Sequence, residues 1–176
     1  VHRSIGDCWL RDWSAEDAPA LARYADNRKI WSSLRDAFPH PYRLEHAGEF
    51  IRRVSTASPR TVFAIATETE AIGSIGLMPG QDVHRYSAEL GYWLAEPYWG
   101  RGTVTAAVRA LVEYGFQELG LHRIYAEPYA GNAASARVLE KAGFVLEGRL
   151  RASAFKDGRI LDQLLYAVVN TGSAAR

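Results

Sequence analysis

The sequence predicts a mixed α/β domain built on one large sheet. Three observations carry that expectation: apolar residues recur at helical spacing in the first third of the chain, strand-like alternation takes over across residues 61–94, and the remainder runs strand, helix, strand, helix, strand, strand. The chain has 176 residues, about one domain at ~100–200 residues per domain and enough to bury a core without disulfide or metal staples. We therefore expect a single domain over 1–176, with its core at 8–169 and a tail at 171–176.

Each element has its own local signal. Residues 8–13 read as a first short strand. Ser14 then stands where an N-cap belongs, with Asp17 at the capping-box position, and Leu21, Tyr24 and Ala25 follow at helical spacing. Ile30, Trp31 and Leu34 suggest a second short helix. Phe38-Pro39-His40-Pro41-Tyr42 is excluded from helix by its two prolines. Ala47, Phe50, Ile51 and Val54 mark a further amphipathic helix. Residues 61–67 and 72–78 read as a hairpin turning near Glu70. Residues 86–94 are a third long strand in this region, the fourth of the chain, with Arg85, Ser87, Glu89, Gly91 and Trp93 on one face and Tyr86, Ala88, Leu90, Tyr92 and Leu94 on the other. A helix is expected over 103–119 with Gly120 as its stop, then a short strand at 124–127. Asn132 caps a helix ending at Lys141, with Gly143 behind it. Strands at 145–156 and 159–169 flank Asp157-Gly158, a type I′ turn signal.

Composition narrows the function. With 48% hydrophobic and 23% charged residues, the chain is packed rather than disordered. Its 21 basic and 20 acidic residues leave a net charge of +1, which gives no general field for nucleic acid or an anionic membrane. An anionic ligand must be held by a local site. The single cysteine, Cys8, cannot form an intramolecular disulfide, so a reduced, cytoplasmic setting is expected. One Cys and five scattered His give no zinc-ligand spacing, so no metal is expected. No apolar run approaches the ~18–20 residues of a membrane span. The opening Val1-His2-Arg3-Ser4 carries neither an initiator methionine nor a secretory signal, which suggests a processed chain or a fragment.

The densest chemical signal is Glu96-Pro97-Tyr98-Trp99-Gly100-Arg101-Gly102-Thr103-Val104. It leaves a strand and opens a helix, where unpaired N–H groups and the positive end of the macrodipole favour a pyrophosphate. Glycines allow close approach, and Arg101 adds charge. The competing reading is a plain strand–turn–helix. The loop lacks the Gly-Lys-Ser/Thr ending of the nucleotide P-loop. It also lacks the third glycine of the dinucleotide fingerprint, position 105 being Thr. A linear phosphate-bearing cofactor such as coenzyme A suits it.

Glu89-Leu90-Gly91-Tyr92-Trp93-Leu94, Tyr98-Trp99-Gly100-Arg101-Gly102, and Asn132 through Gly143-Phe144 together resemble the RimJ/RimL-like branch of the GNAT acetyltransferases. The Phe38–Tyr42 segment and its flanking helices resemble that branch too, so the likeness spans about 8–169. It implies a mixed, mostly antiparallel sheet flanked by helices and splayed between strands four and five, here near 86–94 and 121–127. Acetyl-CoA would be the cosubstrate, its pantetheine arm pairing with backbone at Trp93 and Leu94. Trp99, Gly100, Arg101, Gly102, Thr103 and Val104 would hold the pyrophosphate, and Asn132 would contact the arm.

Two departures matter. Pro97 stands where Gln or Arg commonly opens the loop. Leu139 stands where many members carry the Tyr that protonates the departing thiolate. The resemblance makes Ser135 its replacement; the bland alternative for Ser135 is a hydrogen bond at the helix start. An N-cap alone also explains Asn132.

Acetyl transfer needs a neutral amine, a polarised thioester, attack geometry and a protonated leaving group. Cys8 is expected to lie far from every motif, so direct attack in a ternary complex is expected, with backbone near Leu94 donating to the oxyanion. Glu89 is the candidate base or ammonium-binding group, against a solvent-facing strand carboxylate or a partner of Arg85. Trp31, Phe38, Tyr42 and Trp93 are candidates for lining an acceptor cleft, ordinary packing being the alternative. His40 and His122 read as ordinary loop and strand residues, and Arg101 and Arg137 as solvated or phosphate-facing. The acceptor is an amine, with a protein N-terminal α-amino group suggested by the RimJ/RimL resemblance. Small amines or antibiotics, or a non-catalytic acyl-CoA-binding module, are the alternatives. The sequence leaves acyl-chain preference and oligomeric state open.

Overall fold

The computed structural model describes residues 2–172; of the tail expected at 171–176, residues 173–176 lie outside them. Strands β1 (His2–Ser4) and β2 (Trp9–Arg11) lead through a 3-10 turn (Ala15–Asp17) into α1 (Ala18–Ala25). Helices α2 (Arg28–Trp31) and α3 (Leu44–Thr56) precede β3 (Val62–Ala66), β4 (Ala71–Pro79) and β5 (Ser87–Leu94). A second 3-10 turn (Glu96–Tyr98) precedes α4 (Thr103–Gln117), β6 (Arg123–Ala126), α5 (Ala133–Lys141), β7 (Val145–Lys156) and β8 (Arg159–Val169).

The sheet has eight strands in the order β1-β2-β3-β4-β5-β6-β8-β7. The pairs β1–β2, β2–β3, β3–β4, β6–β8 and β7–β8 are antiparallel, and β5–β6 is parallel. The sheet is thus mixed and mostly antiparallel, as expected. The strands expected as fourth and fifth are β5 and β6, because β1 was not foreseen.

The chain forms two compact units, Val1–Gly76 with Tyr92–Ala107, and Leu77–Gly91 with Val108–Arg176. The first unit packs α1 and α3 around Trp13, Leu21, Tyr42, Ile51 and Val54, with Phe38, Phe50 and Trp93 against them. Asp17 is buried yet satisfied: Arg11 grips both its carboxylate oxygens at 2.7 Å and Ser14 N–H donates to it at 2.9 Å. That box fixes where α1 starts. In the second unit Val108, Leu111, Leu121, Ile124 and Leu139 are buried.

Local chemistry ends the elements where the sequence put the stops. Asn132 caps α5, its side chain accepting from Ser135 N–H at 3.1 Å, and Gly143 follows with φ +93°. Asp157 and Gly158 both have positive φ, 52° and 75°, as a type I′ turn requires.

Strands β5 and β6 part early. Their register pairs only Ser87–Glu89 with Arg123–Tyr125. Beyond Ala126 the chain keeps following β8: Leu164 N–H donates to the Pro128 carbonyl and Ala130 N–H to the Asp162 carbonyl, both at 2.9 Å. Strand β5 meanwhile continues to Leu94.

Candidate active site

The backbone of β5 alternates its polar groups between two edges. The Ser87 carbonyl accepts from Gly80 N–H and Ala95 N–H donates to the Ile72 carbonyl, each at 2.8 Å, so odd-numbered residues face β4. A Cβ on Gly73 of β4 would stand 2.5 Å from the Trp93 carbonyl oxygen, so only glycine admits that approach. Even-numbered residues face the other way: the Tyr86 carbonyl accepts from His122 N–H at 2.8 Å. The register with β6 ends at Glu89, and Tyr92 and Leu94 turn their backbone groups to the same side as Tyr86. Of the two residues expected there, Leu94 turns its backbone to that side and Trp93 turns its backbone to β4.

The Leu94 carbonyl is taken by Trp99, whose indole N–H donates to it at 2.7 Å. Trp99 opens the loop, and Gly100 and Gly102 follow with φ +77° and +79°. Neither would meet any atom within 4 Å if it carried a Cβ, so space lies open above both. The Ala106 N–H bonds back to the Gly102 carbonyl at 3.0 Å, so Thr103, Val104 and Thr105 stand in the first turn of α4, where N–H groups lack helical partners. Arg101 folds over the loop, donating to the Pro97 carbonyl at 2.9 Å and lying over the Tyr98 ring. The loop thus combines open glycines, first-turn N–H groups and one guanidinium, and that set fits a pyrophosphate.

Cys8 corrects an expectation. It is distant in sequence, but it is buried against the helix start, where the Thr103 side chain hydrogen-bonds its sulfur and Arg101 is close enough to act on it. The chain reversal after β1 brings it there. Burial, aided by Asp7, pushes its thiol above the ordinary range, so it stays protonated and is a poor nucleophile.

In the second unit, Asn132 and Ser135 are joined by the cap described above. Leu139 is completely buried, so that position serves the core and offers no acid. Glu89 lies on β5 opposite Tyr125 and is half-buried. Arg85, considered as its partner, donates to the Asp82 carbonyl at 2.9 Å and lies over the Tyr86 ring.

Trp31, Phe38, Tyr42 and Trp93, considered above for an acceptor cleft, make ring contacts within the first unit. Phe38 meets Tyr42 and Trp93, with ring centroids 4.9 and 5.8 Å away, and Trp31 lies 5.7 Å from His40. His40 Nδ1 is 3.4 Å from Asp26 Oδ1, which also accepts from Tyr42 N–H at 2.9 Å. Burial raises the Tyr42 phenol to about 12. Sequence reasoning missed Asp26, Asn27 and Lys29, and it quoted Glu96 only as the start of the glycine-loop segment. Asn27 Nδ2 donates to Glu96 Oε2 at 2.8 Å, and Lys29 pairs with the other oxygen. The only sequence signal was Asn27, a cap-forming type just before a helical run. Among the described residues no cluster of three His, Cys, Asp or Glu is placed to hold a metal, and no helix is long and apolar enough to cross a membrane.

A mixed sheet whose parallel pair parts after three residues, followed by a glycine loop that opens a helix, is the architecture of acyl-CoA-dependent acetyltransferases. The sequence matches the acetyltransferase (GNAT) domain over residues 8–145, and the chain belongs to that family of acetyl-CoA-dependent N-acetyltransferases. It is 30% identical over 164 residues to the uncharacterized N-acetyltransferase p20 of Bacillus licheniformis, covering 91% of each chain. It is 34% identical over 106 residues to the ribosomal-protein-serine acetyltransferase of Escherichia coli K12, covering 60% of this chain and 59% of that one. Several curated relatives align over only 52–59% of their own length. Among solved structures, RimJ of Mycobacterium smegmatis in complex with CoA-disulfide superposes with a TM-score of 0.81 at 27% identity, covering 94% of this chain and 83% of that one.

Proposed function

We propose that this chain transfers acetyl from acetyl-CoA to an α-amino group, with the N-terminus of a protein as acceptor. The observation that carries the cofactor half is the pair Gly100 and Gly102, both at positive φ with open space where a side chain would stand. In this reading Trp99, Gly100, Arg101, Gly102, Thr103 and Val104 hold the pyrophosphate. The β5 backbone at Leu94 pairs with the pantetheine arm. Because Trp99 occupies the Leu94 carbonyl, that residue offers its N–H, the donor that polarises a thioester oxygen. Trp93 contributes from its side chain.

Asn132 spends its carbonyl oxygen on the helix cap, and its amide nitrogen keeps two donors for the cofactor arm. Ser135 protonates the leaving thiolate, and Glu89 receives the amine. An α-amino group has an unperturbed pKa of ~7.7–8.0 against ~10.4 for lysine, so a site with one carboxylate suits the former. Attack is direct, because the Cys8 thiol is buried and protonated. A reduced, cytoplasmic setting accords with that single free thiol. The E. coli relative is named for acetylating a ribosomal protein's serine, which supports a protein acceptor.

The test is release of free CoA from acetyl-CoA across a panel of serine- and alanine-initiated peptides, small amines and aminoglycosides. Release with peptides alone supports the proposal. Release only with small amines moves the acceptor class, and binding without release marks an acyl-CoA-binding module.

A further inference from the structure

Within the first unit, the corner between α1 and α2 touches two functional segments at once. On one side Asn27 and Lys29 both bond Glu96, in the turn that leads into the glycine loop. A second tie sits beside it: Tyr24 packs edge-on against Tyr98 at 6.1 Å, and Tyr98 carries Arg101 on its ring. On the other side, Asp26 accepts from Tyr42 N–H and faces His40, while Trp31 packs on His40. The two sets of contacts leave from successive residues of one short corner.

Asn27 is built for both tasks. Its Oδ1 caps α2 by accepting from Lys29 N–H at 2.8 Å, and its Nδ2 donates to Glu96. Lys29 and Asn27 hold the Glu96 carboxyl below the ordinary carboxylate range, so the fork is charged at neutral pH. Both partners are substantially exposed, and exposed pairs contribute little to stability. Two converging donors on one carboxylate do fix its direction.

We infer that Glu96 is a positioning residue: with Asn27 and Lys29 it forms a strut that transmits the ordering of the glycine loop by acetyl-CoA to the 26–42 segment. The inference rests on the cofactor-loop reading above.

The discriminating variant is Asn27→Asp. Aspartate caps a helix as well as asparagine, so α2 is kept, but the donor to Glu96 becomes a repelling carboxylate. Adding Glu96→Gln restores a donor–acceptor pair with the polarity reversed. Backbone hydrogen exchange of the full chain, with and without acetyl-CoA, reads the outcome. Acetyl-CoA should slow exchange at 100–104 in wild type and both variants. In wild type and the double variant it should also slow exchange at 26–42 by roughly tenfold, and in Asn27→Asp by less than about twofold. Lys29→Met, which removes only the ion pair, should fall between and serves if Asn27→Asp does not fold. Undiminished protection at 26–42 in Asn27→Asp overturns the strut. So does protection confined to 100–104 in wild type. No protection at 100–104 in wild type overturns the cofactor-loop reading, and the strut with it.

Discussion

The indole N–H of Trp99 reaches back five residues to the Leu94 carbonyl, 2.7 Å away. This one bond ties the end of β5 to the start of the glycine loop. It also occupies the Leu94 carbonyl. The 3-10 turn between them, with Tyr98 N–H on the Ala95 carbonyl, has the tightness that lets the side chain return.

Gly102 tests the loop. Gly102→Val places branched bulk in the open space above it, and acetyl-CoA affinity should fall at least tenfold, ~1.4 kcal/mol. Strain is a confounder, because φ is +79°. Gly120→Val supplies the control: it is also at positive φ, +63°, with open space around it, at the end of α4. Both variants should lose ~1–2 kcal/mol of stability from the left-handed backbone, and only Gly102→Val should lose affinity by calorimetry.

The glycine loop and α5 were legible because their signals are local. Asn132, Gly143 and the Asp157-Gly158 turn act within a few residues of themselves, and the bounds of α5, β7 and β8 followed from them. Strand β1 was not legible: its three residues, His2–Ser4, form a strand by pairing with β2. The edge to which Trp93 turns its backbone depends on which neighbour β5 meets, a tertiary fact. The same holds for Cys8 beneath Thr103 and for the Glu96 fork, whose partners lie far apart in sequence.

Glu89 separates amine handling from cofactor binding. Glu89→Gln keeps the shape and removes the charge. Acetyl-CoA affinity should survive, and the amine-dependent rate should fall sharply at neutral pH and recover partly as the amine deprotonates unaided at high pH. A pH–rate profile identical to wild type would make Glu89 an ordinary strand residue.

Ser135 is tested by the split between kcat and affinity. General acids contribute ~100- to 10,000-fold, so Ser135→Ala should lower kcat by at least that lower bound with acetyl-CoA affinity little changed. The Asn132 cap uses the Ser135 backbone N–H and survives the substitution. A loss of a few-fold would assign the proton to water.

Tyr42 predicts the alkaline limit of stability. Its folded phenol is raised to about 12 by burial, above the ~10 of an unfolded chain, so above pH 10 the unfolded state binds fewer protons. Its stabilising contribution is complete below pH 10 and is lost as pH rises through 12. Thermal midpoints should drop across that window, and Tyr42→Phe should flatten the drop. An equal drop in both proteins would place its origin elsewhere.

Transfer of acetyl from a cofactor on the Gly100–Val104 loop to an α-amine is open to direct assay. Mass spectrometry of a serine-initiated peptide incubated with acetyl-CoA and the protein tests it directly, beside the same peptide with its N-terminus formylated and an internal lysine left free. One added acetyl is expected on the α-nitrogen of the free peptide, none on the formylated one, and at least tenfold less product with Gly102→Val at limiting acetyl-CoA. Acetylation of lysine in the formylated peptide, or undiminished product with Gly102→Val, would contradict it.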